Sequence, residues 1–309
     1  MSLTQIELQP LLDKLHKASE LTLGFVGMGL MGVPMTQRLL NAGFEVNVWN
    51  RDPDKLKDNR LTQAYHARTL KELVYKSDIV MTCVTDTDAV EAVVFADDGI
   101  AEHLQAGQLL IDFSSIAPEK TREFSQQLQQ TCDALWIDAP VSGGVAGAEA
   151  GTLAVMAGGP AEIIDALQPV LSPLSQSVTR MGETGSGQAT KICNQILVSC
   201  NIAVMAEVLA MAEKAGVDSK LIPQALQGGF ADSIPLQLTG KRMANRELDE
   251  VKWHVKTLLK DLQMAKQLAG ECHANTPMAE LARRILNEHG DNGHLEHDPA
   301  TLITHYTQS

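Results

Sequence analysis

A lysine stands near the start of the longest apolar run in the chain. Lys191 lies in the run 188–215, just after the glycine-rich entry Gly185-Ser186-Gly187, and Asn194 and Gln195 follow at three and four positions. On a helix these spacings put all three side chains on one face. An ammonium held there loses hydration, which favours its neutral form and brings proton exchange near neutral pH within reach. The other reading is a lysine whose aliphatic stem carries its charge to the surface. Three polar residues sharing one face of an apolar helix favour proton transfer.

Upstream, Gly27-Met28-Gly29-Leu30-Met31-Gly32 separates the apolar run 23–26 from the helical stretch 33–42. Glycines at these positions permit a tight turn and a close backbone approach, and the helix start offers amides and a positive dipole to a pyrophosphate. Strand before and helix after support a dinucleotide site over a ligand-free turn. About 20 residues on, an NAD enzyme usually places an acid against the ribose hydroxyls. This chain has Asn50 and then Arg51, a planar cation suited to a 2′-phosphate. NADP(H) is therefore preferred, and the neighbouring Asp52 keeps NAD(H) possible.

Two further segments are candidates. Asp138-Ala139-Pro140-Val141-Ser142-Gly143-Gly144 follows an apolar run, at the strand edge where open α/β sheets bind ligands. Its exposed amides and the Ser142 hydroxyl could hold a carboxylate; a plain loop is the equal alternative. Lys260-Asp261, on a helical stretch, reads by itself as an exposed ion pair. His289, His294 and His297, among Asp291, Glu296 and Asp298, match no metal-ligand spacing and read as a polar loop. No metal site is expected.

The scaffold behind these residues shows in the alternation of short β-rich runs with helical stretches between residues 21 and 182, the pattern of a doubly wound parallel α/β sheet. The expected strands are 22–26, 45–49, 79–83, 109–113, 135–138 and 153–157. After Gly182 come only helical patterns: 188–215, 221–226, 236–243, 253–268 and 278–288. An all-α C-terminal domain over 183–309 is expected, with a short amphipathic helix in an N-terminal extension, 1–20.

With 25 Lys and Arg against 38 Asp and Glu, the net charge is −13, which argues against a general grip on nucleic acid. No run approaches the roughly 20 uninterrupted apolar residues of a membrane span, so no membrane partner is expected. Five widely spaced cysteines without a CxxC pair suggest reduced thiols and a cytoplasmic location.

Taken together, Gly-Phe-Val-Gly27-Met-Gly29-Leu-Met-Gly32, Asp138 to Gly144, Gly187-Gln-Ala-Thr-Lys191-Ile-Cys-Asn194-Gln195 and Lys260-Asp261-Leu262 resemble the ordered motif series of the β-hydroxyacid dehydrogenases over residues 22 to 305. That resemblance implies an N-terminal Rossmann domain, a helical C-terminal domain, an active site drawing on both, and a homodimer or homotetramer. It implies that Lys191 is the catalytic acid/base for a small carboxylate-bearing aldehyde or hydroxyacid, and that Ser142, Gly143 and Gly144 bind its carboxylate. It further implies that Asn194, Gln195 and Asp261 lie near the substrate. Gly27 to Met31, Asn50, Arg51, Val84, Thr85, Ser115 and Lys260 would contact the cofactor. The family often has Asn where this chain has Gln195. That change, with Gly228-Gly229-Phe230, resembles the branch acting on tartronate semialdehyde more than the 3-hydroxyisobutyrate branch. Imine reductases on the same scaffold usually replace the lysine, so Lys191 favours oxygen chemistry.

Overall fold

The computed structural model describes residues 5–17 and 20–307. The rest, including residues 1–4 and 18–19 of the expected N-terminal extension, lies outside the described residues. The helix expected in that extension is α1, Gln5–Leu15.

Short runs rich in Val, Ile, Leu and Phe form most of the strands, because apolar side chains, β-branched and aromatic ones above all, pack well on a pleated surface. They are β1 Thr22–Val26, β2 Glu45–Trp49, β3 Tyr65–His66, β4 Ile79–Thr82, β5 Leu109–Asp112, β6 Leu135–Asp138, β7 Val141–Ser142, β8 Leu153–Gly158 and β9 Ser175–Gly182. Their order is β3-β2-β1-β4-β5-β6-β8-β7, with β9 paired to β8. The strands from β3 to β6 run parallel, and β8 joins β6 antiparallel. The 3-2-1-4-5-6 order is that of the Rossmann sheet, whose direction of winding reverses between β1 and β4.

The connecting helices are α2 Gly32–Asn41, α3 Leu70–Tyr75, α4 Thr87–Phe95, α5 Ile100–His103, α6 Pro118–Cys132, α7 Gly144–Ala150, α8 Ala161–Ala166 and α9 Gln168–Leu171. Successive strand residues point to opposite faces, and here both faces are apolar. Ile79, Met81, Leu109, Ile111 and Ile137 join one core, while Val80, Leu110 and Trp136 join the other with Val90 and Phe124. Burial on both sides is what a parallel sheet covered by helices requires.

The chain divides into two compact units, Met1–Lys191 and Ile192–Ser309. The division falls inside the longest helix, α10 Ser186–Lys214. The second unit contains α11 Ile222–Leu226, α12 Lys241–Asn245, α13 Val255–Glu271, α14 Pro277–His289 and α15 Thr304–Thr307. No strand follows β9 among the described residues. The helices meet through apolar stripes at helical spacing: Val255, Leu258 and Leu262 of α13, Ala279, Ala282 and Leu286 of α14, and Ile202, Met205 and Leu209 of α10. Among the described residues, α10 is the one helix long and apolar enough to cross a membrane, and 44% of its most apolar window is buried inside the protein.

Three strands go beyond the sequence expectation. β3 and β7 are two residues each, too short for a periodic signal. β9 has the burial of an edge strand, with most side chains only partly covered, so its Ser, Gln, Thr and Arg gave no apolar alternation. The C-terminal histidines also depart from the expected polar loop. His289 ends α14, is buried, and bonds through Nε2 to Thr301 Oγ1 at 2.8 Å. Its ring stacks on His294 with centroids 4.1 Å apart. Burial, and then the neighbouring imidazoles, push its pKa down to about 4, so it stays neutral at pH 7.

Candidate active site

The strand register lines up the residues that close the parallel strands. Trp49 pairs with Val26, Val26 with Thr82, Thr82 with Asp112, and Asp112 with Asp138. Immediately beyond this row, at the carboxyl ends of the strands, come Gly27 to Met31, Asn50 and Arg51, Val84 and Thr85, and Ser115. Candidates scattered over nearly 90 residues thus lie along one edge of the sheet, where open α/β sheets take their ligands.

The glycine loop can be tested for the cofactor that it would hold. Gly27 adopts φ +101°, and a Cβ on it would stand 2.3 Å from the Cys83 carbonyl oxygen. A Cβ on Gly32 would stand 1.9 Å from the Gly27 carbonyl oxygen. The protein itself therefore demands glycine at both. Around Gly29 a Cβ would meet nothing within 4 Å, so the fold gives no reason for glycine there, whereas close approach by a pyrophosphate does. The start of α2 has no side-chain cap and no acidic residue in its first turn, which suits an anion. The residues present fit a dinucleotide.

Asn50 closes this loop onto β2. Its Oδ1 accepts from the Met28 N–H at 2.8 Å, and its Nδ2 donates to the Asp52 carbonyl at 2.9 Å. Asp52 turns its carboxylate to the Asp54 N–H, 3.0 Å away, and so caps the short 3-10 turn Pro53–Lys57. Arg51 between them is exposed. The Asp52 cap is a local competitor for any ribose contact by that carboxylate.

Beneath the loops lies a buried polar network whose members the sequence reading did not connect, naming Asp138 only as the head of a candidate segment. Asp112 Oδ1 accepts from Thr82 Oγ1 at 2.8 Å and from the Ser114 N–H at 3.0 Å. Ser114 Oγ accepts from the Val84 N–H at 2.9 Å, tying the loop after β4 to the loop after β5. Asp138 is fully buried and serves the start of α10: Oδ1 accepts from the Gly185 N–H at 2.8 Å, and Oδ2 from the Gln188 N–H at 3.0 Å. Strand-ending acids at the carboxyl edge, as in Leu-Leu-Ile-Asp112, were the available signal.

Burial pushes the Asp112 carboxyl up to about 6, against its hydrogen bonds from Ser114 and Thr82; Asp138 adds to the rise. A folded pKa above the unfolded value means that the folded state binds more protons between them. Asp112 therefore favours folding below about pH 4 and progressively opposes it up to about pH 6. From 3.8 to about 6 the swing is about 3 kcal/mol. Comparing urea unfolding of Asp112→Asn and wild type at pH 4 and 7.5 should show the variant gaining about that much stability, relative to wild type, at the higher pH. An equal difference at both values would contradict the assignment.

Ser142 lies in β7, paired antiparallel to Ala154 of β8. Gly143 at φ +135° and Gly144 at φ +61° then turn the chain into α7. Lys191 is half-buried in the second turn of α10. In the second unit, four candidates form one chain of contacts. Asn194 Nδ2 donates to Gln195 Oε1 at 2.9 Å, and Gln195 Nε2 donates to Asp261 Oδ2. Lys260 Nζ lies 3.5 Å from Asp261 Oδ1. Asp261 is buried, with 2% exposure, so the pair that reads as a surface ion pair in the sequence is held on its acidic side by a buried amide.

Comparison with known proteins bears on this arrangement. Residues 22–182 match the NAD binding domain of 6-phosphogluconate dehydrogenase, and residues 185–306 match the family described as NAD-binding of NADP-dependent 3-hydroxyisobutyrate dehydrogenase. The chain is 36% identical over 285 residues to 2-hydroxy-3-oxopropionate reductase of Escherichia coli (strain K12), covering 91% of this chain and 95% of that one. A solved 3-hydroxyisobutyrate dehydrogenase from Salmonella typhimurium superposes with TM-score 0.83 at 25% identity, covering 92% and 99%. A structure in complex with NADP+ and 2-OPP superposes with TM-score 0.83 at 27% identity, covering 91% and 99%.

Proposed function

The chain belongs to the β-hydroxyacid dehydrogenase family of NAD(P)-dependent oxidoreductases, and from that premise we propose that it reduces tartronate semialdehyde (2-hydroxy-3-oxopropionate) with NADPH, using Lys191 as proton donor. The observation that carries the reading is Lys191 itself, held on α10 in the turn after the buried Asp138 cap. The E. coli relative is a 2-hydroxy-3-oxopropionate reductase, and Gln195 stands where much of the family has Asn. The Salmonella relative favours a second substrate, 3-hydroxyisobutyrate.

The loop of Gly27 to Met31, with Val84, Thr85 and Ser115, would hold the dinucleotide, and Lys260 would approach its nicotinamide end. When bound, the reduced nicotinamide supplies a hydride to the aldehyde carbon. Lys191, as an ammonium, gives a proton to the aldehyde oxygen as negative charge develops on it, and its positive charge stabilises that oxygen. Ser142, Gly143 and Gly144 offer a hydroxyl and backbone amides to the substrate carboxylate. Asn194 and Gln195 lie near the substrate in this reading, with Asp261 orienting the Gln195 amide.

Arg51 is proposed to select NADP(H) through the 2′-phosphate. Arg51→Ala should raise the KM for NADPH by about tenfold or more and leave that for NADH nearly unchanged. Equal effects on both cofactors would remove Arg51 from the selection. Leu197, Val204, Met211, Phe230, Ile234 and Leu238 expose large apolar side chains in the second unit; such a surface supports a homodimer or homotetramer. Five free cysteines support a cytoplasmic location.

The deciding assay follows NADPH and NADH oxidation at pH 7 with tartronate, methylmalonate and succinic semialdehydes and glyoxylate. NADPH-dependent turnover fastest with tartronate semialdehyde supports the proposal. Faster turnover of methylmalonate semialdehyde moves the assignment to the 3-hydroxyisobutyrate branch. Silence across the panel defeats the substrate class.

A further inference from the structure

Gln188 lies in the first turn of α10, three residues before Lys191, and its side chain is fully buried. Both ends of its carboxamide are committed to one short segment. Oε1 accepts from the Ile116 N–H at 3.2 Å, and Nε2 donates to the Ser114 carbonyl at 2.8 Å. These two backbone groups flank Ser115. The same segment is held from the sheet by Asp112 and linked to Val84 through Ser114 Oγ. The backbone of Gln188 is fixed as well, through its N–H to Asp138. There is no slack behind it: a Cβ on Gly187 would stand 2.3 Å from the Met156 carbonyl oxygen and 2.8 Å from the Asp138 carboxylate.

We propose that Gln188 is a positioning residue for the reductase reaction, whose carboxamide locks the 114–116 turn to the first turn of α10 and so sets the cofactor loop against the helix turn that carries Lys191. The inference rests on the roles proposed above for Ser115 and Lys191. A primary amide of this length supplies one donor and one acceptor together. An apolar replacement leaves the Ser114 carbonyl and the Ile116 N–H buried without partners, and the turn moves to relieve them. Displacements near 1 Å in such sites can cost about 10²-fold in rate.

Two variants of the full chain test this. In Gln188→Glu, the protonated carboxyl reproduces the native pattern, accepting from Ile116 and donating to Ser114. The ionised form cannot donate, so Ser114 loses its partner as pH rises. Asp112, Cys83, Asp138 and Arg122 are charged or titratable groups near this turn, and taking the ratio to wild type removes the titration that both proteins share. The NADPH dissociation constant, read by fluorescence, should be close to wild type at about pH 5.5 and at least about tenfold weaker than wild type by about pH 8.5. Gln188→Leu should bind about tenfold more weakly at both pH values, with kcat reduced in the folded fraction.

A role confined to stability would lower Tm and leave the affinity of the folded protein unchanged. With the profile carried up to the pH at which the carboxylate infrared band shows the new side chain ionising, a variant-to-wild-type ratio that stays flat for Gln188→Glu overturns the proposal, and so does wild-type affinity in folded Gln188→Leu. Because cofactor binding needs no proton transfer, failure of the Lys191 assignment would appear in turnover and not in this measurement.

Discussion

Lys191→Ala is expected to lower kcat for aldehyde reduction by about 10²-fold or more while the dissociation constant for NADPH stays near that of wild type. The split between these readouts is the informative part. Glycine-loop contacts and a 2′-phosphate contact do not involve the ammonium, so cofactor binding should survive its removal. What is lost is the proton and the charge facing the aldehyde oxygen as it becomes basic, and a positioned acid typically contributes 10²–10⁴-fold. In the reverse direction the neutral amine accepts the proton of the alcohol, so oxidation by wild type should speed up with pH. That dependence should vanish in Lys191→Ala. Single-turnover rates with saturating NADPH and tartronate semialdehyde measure the first effect directly. A variant with wild-type turnover would exclude Lys191 as the acid.

Gly29→Ala and Gly32→Ala should fail in opposite ways. Space is open around Gly29 in the protein, so its added methyl should change Tm by only a few degrees. NADPH binding should weaken by about tenfold or more, since the methyl occupies the approach that the pyrophosphate needs. At Gly32 the added atom would stand 1.9 Å from the Gly27 carbonyl oxygen, and that neighbour is backbone held by the Gly27 N–H bond to Trp49, 3.0 Å long. Either α2 or the loop must move, and overpacking of this kind costs about 1–3 kcal/mol or more. Thermal unfolding without ligand, paired with NADPH titration, separates the two. A Gly29→Ala protein with unchanged NADPH affinity would mean that the cofactor does not pass over this loop.

Much of this protein was legible in the order of its residues. The glycine loop, the helical run around Lys191 and the alternation up to Gly182 are local patterns, and each depends on periodicity or turn chemistry that neighbouring residues settle among themselves. The six strands that the pattern identified are buried over most of their length and therefore mostly apolar, with polar residues such as Asn47 and Asp112 as exceptions. β9 escaped because an edge strand can be polar, and its pairing partner β8 supplies what its own composition does not announce.

The sequence by itself determined the mainly parallel α/β sheet, though not its antiparallel β6–β8 and β7–β8 pairings, the helical second unit, the dinucleotide loop and the presence of a lysine in an apolar helix. It contained Asp112, Asp138 and Gln188 equally plainly, yet gave no sign that they act on one another. Asp112 and Asp138 become neighbours only through the β5–β6 register. Gln188 reaches Ser114 across 74 positions of sequence, and Gln195 reaches Asp261 across 66. Partners at such separations are chosen by burial: once the sheet and helices exclude water, each polar group must find a donor or acceptor within about 3 Å. Which one is available is decided by strand register and helix packing, and those exist only in the folded chain.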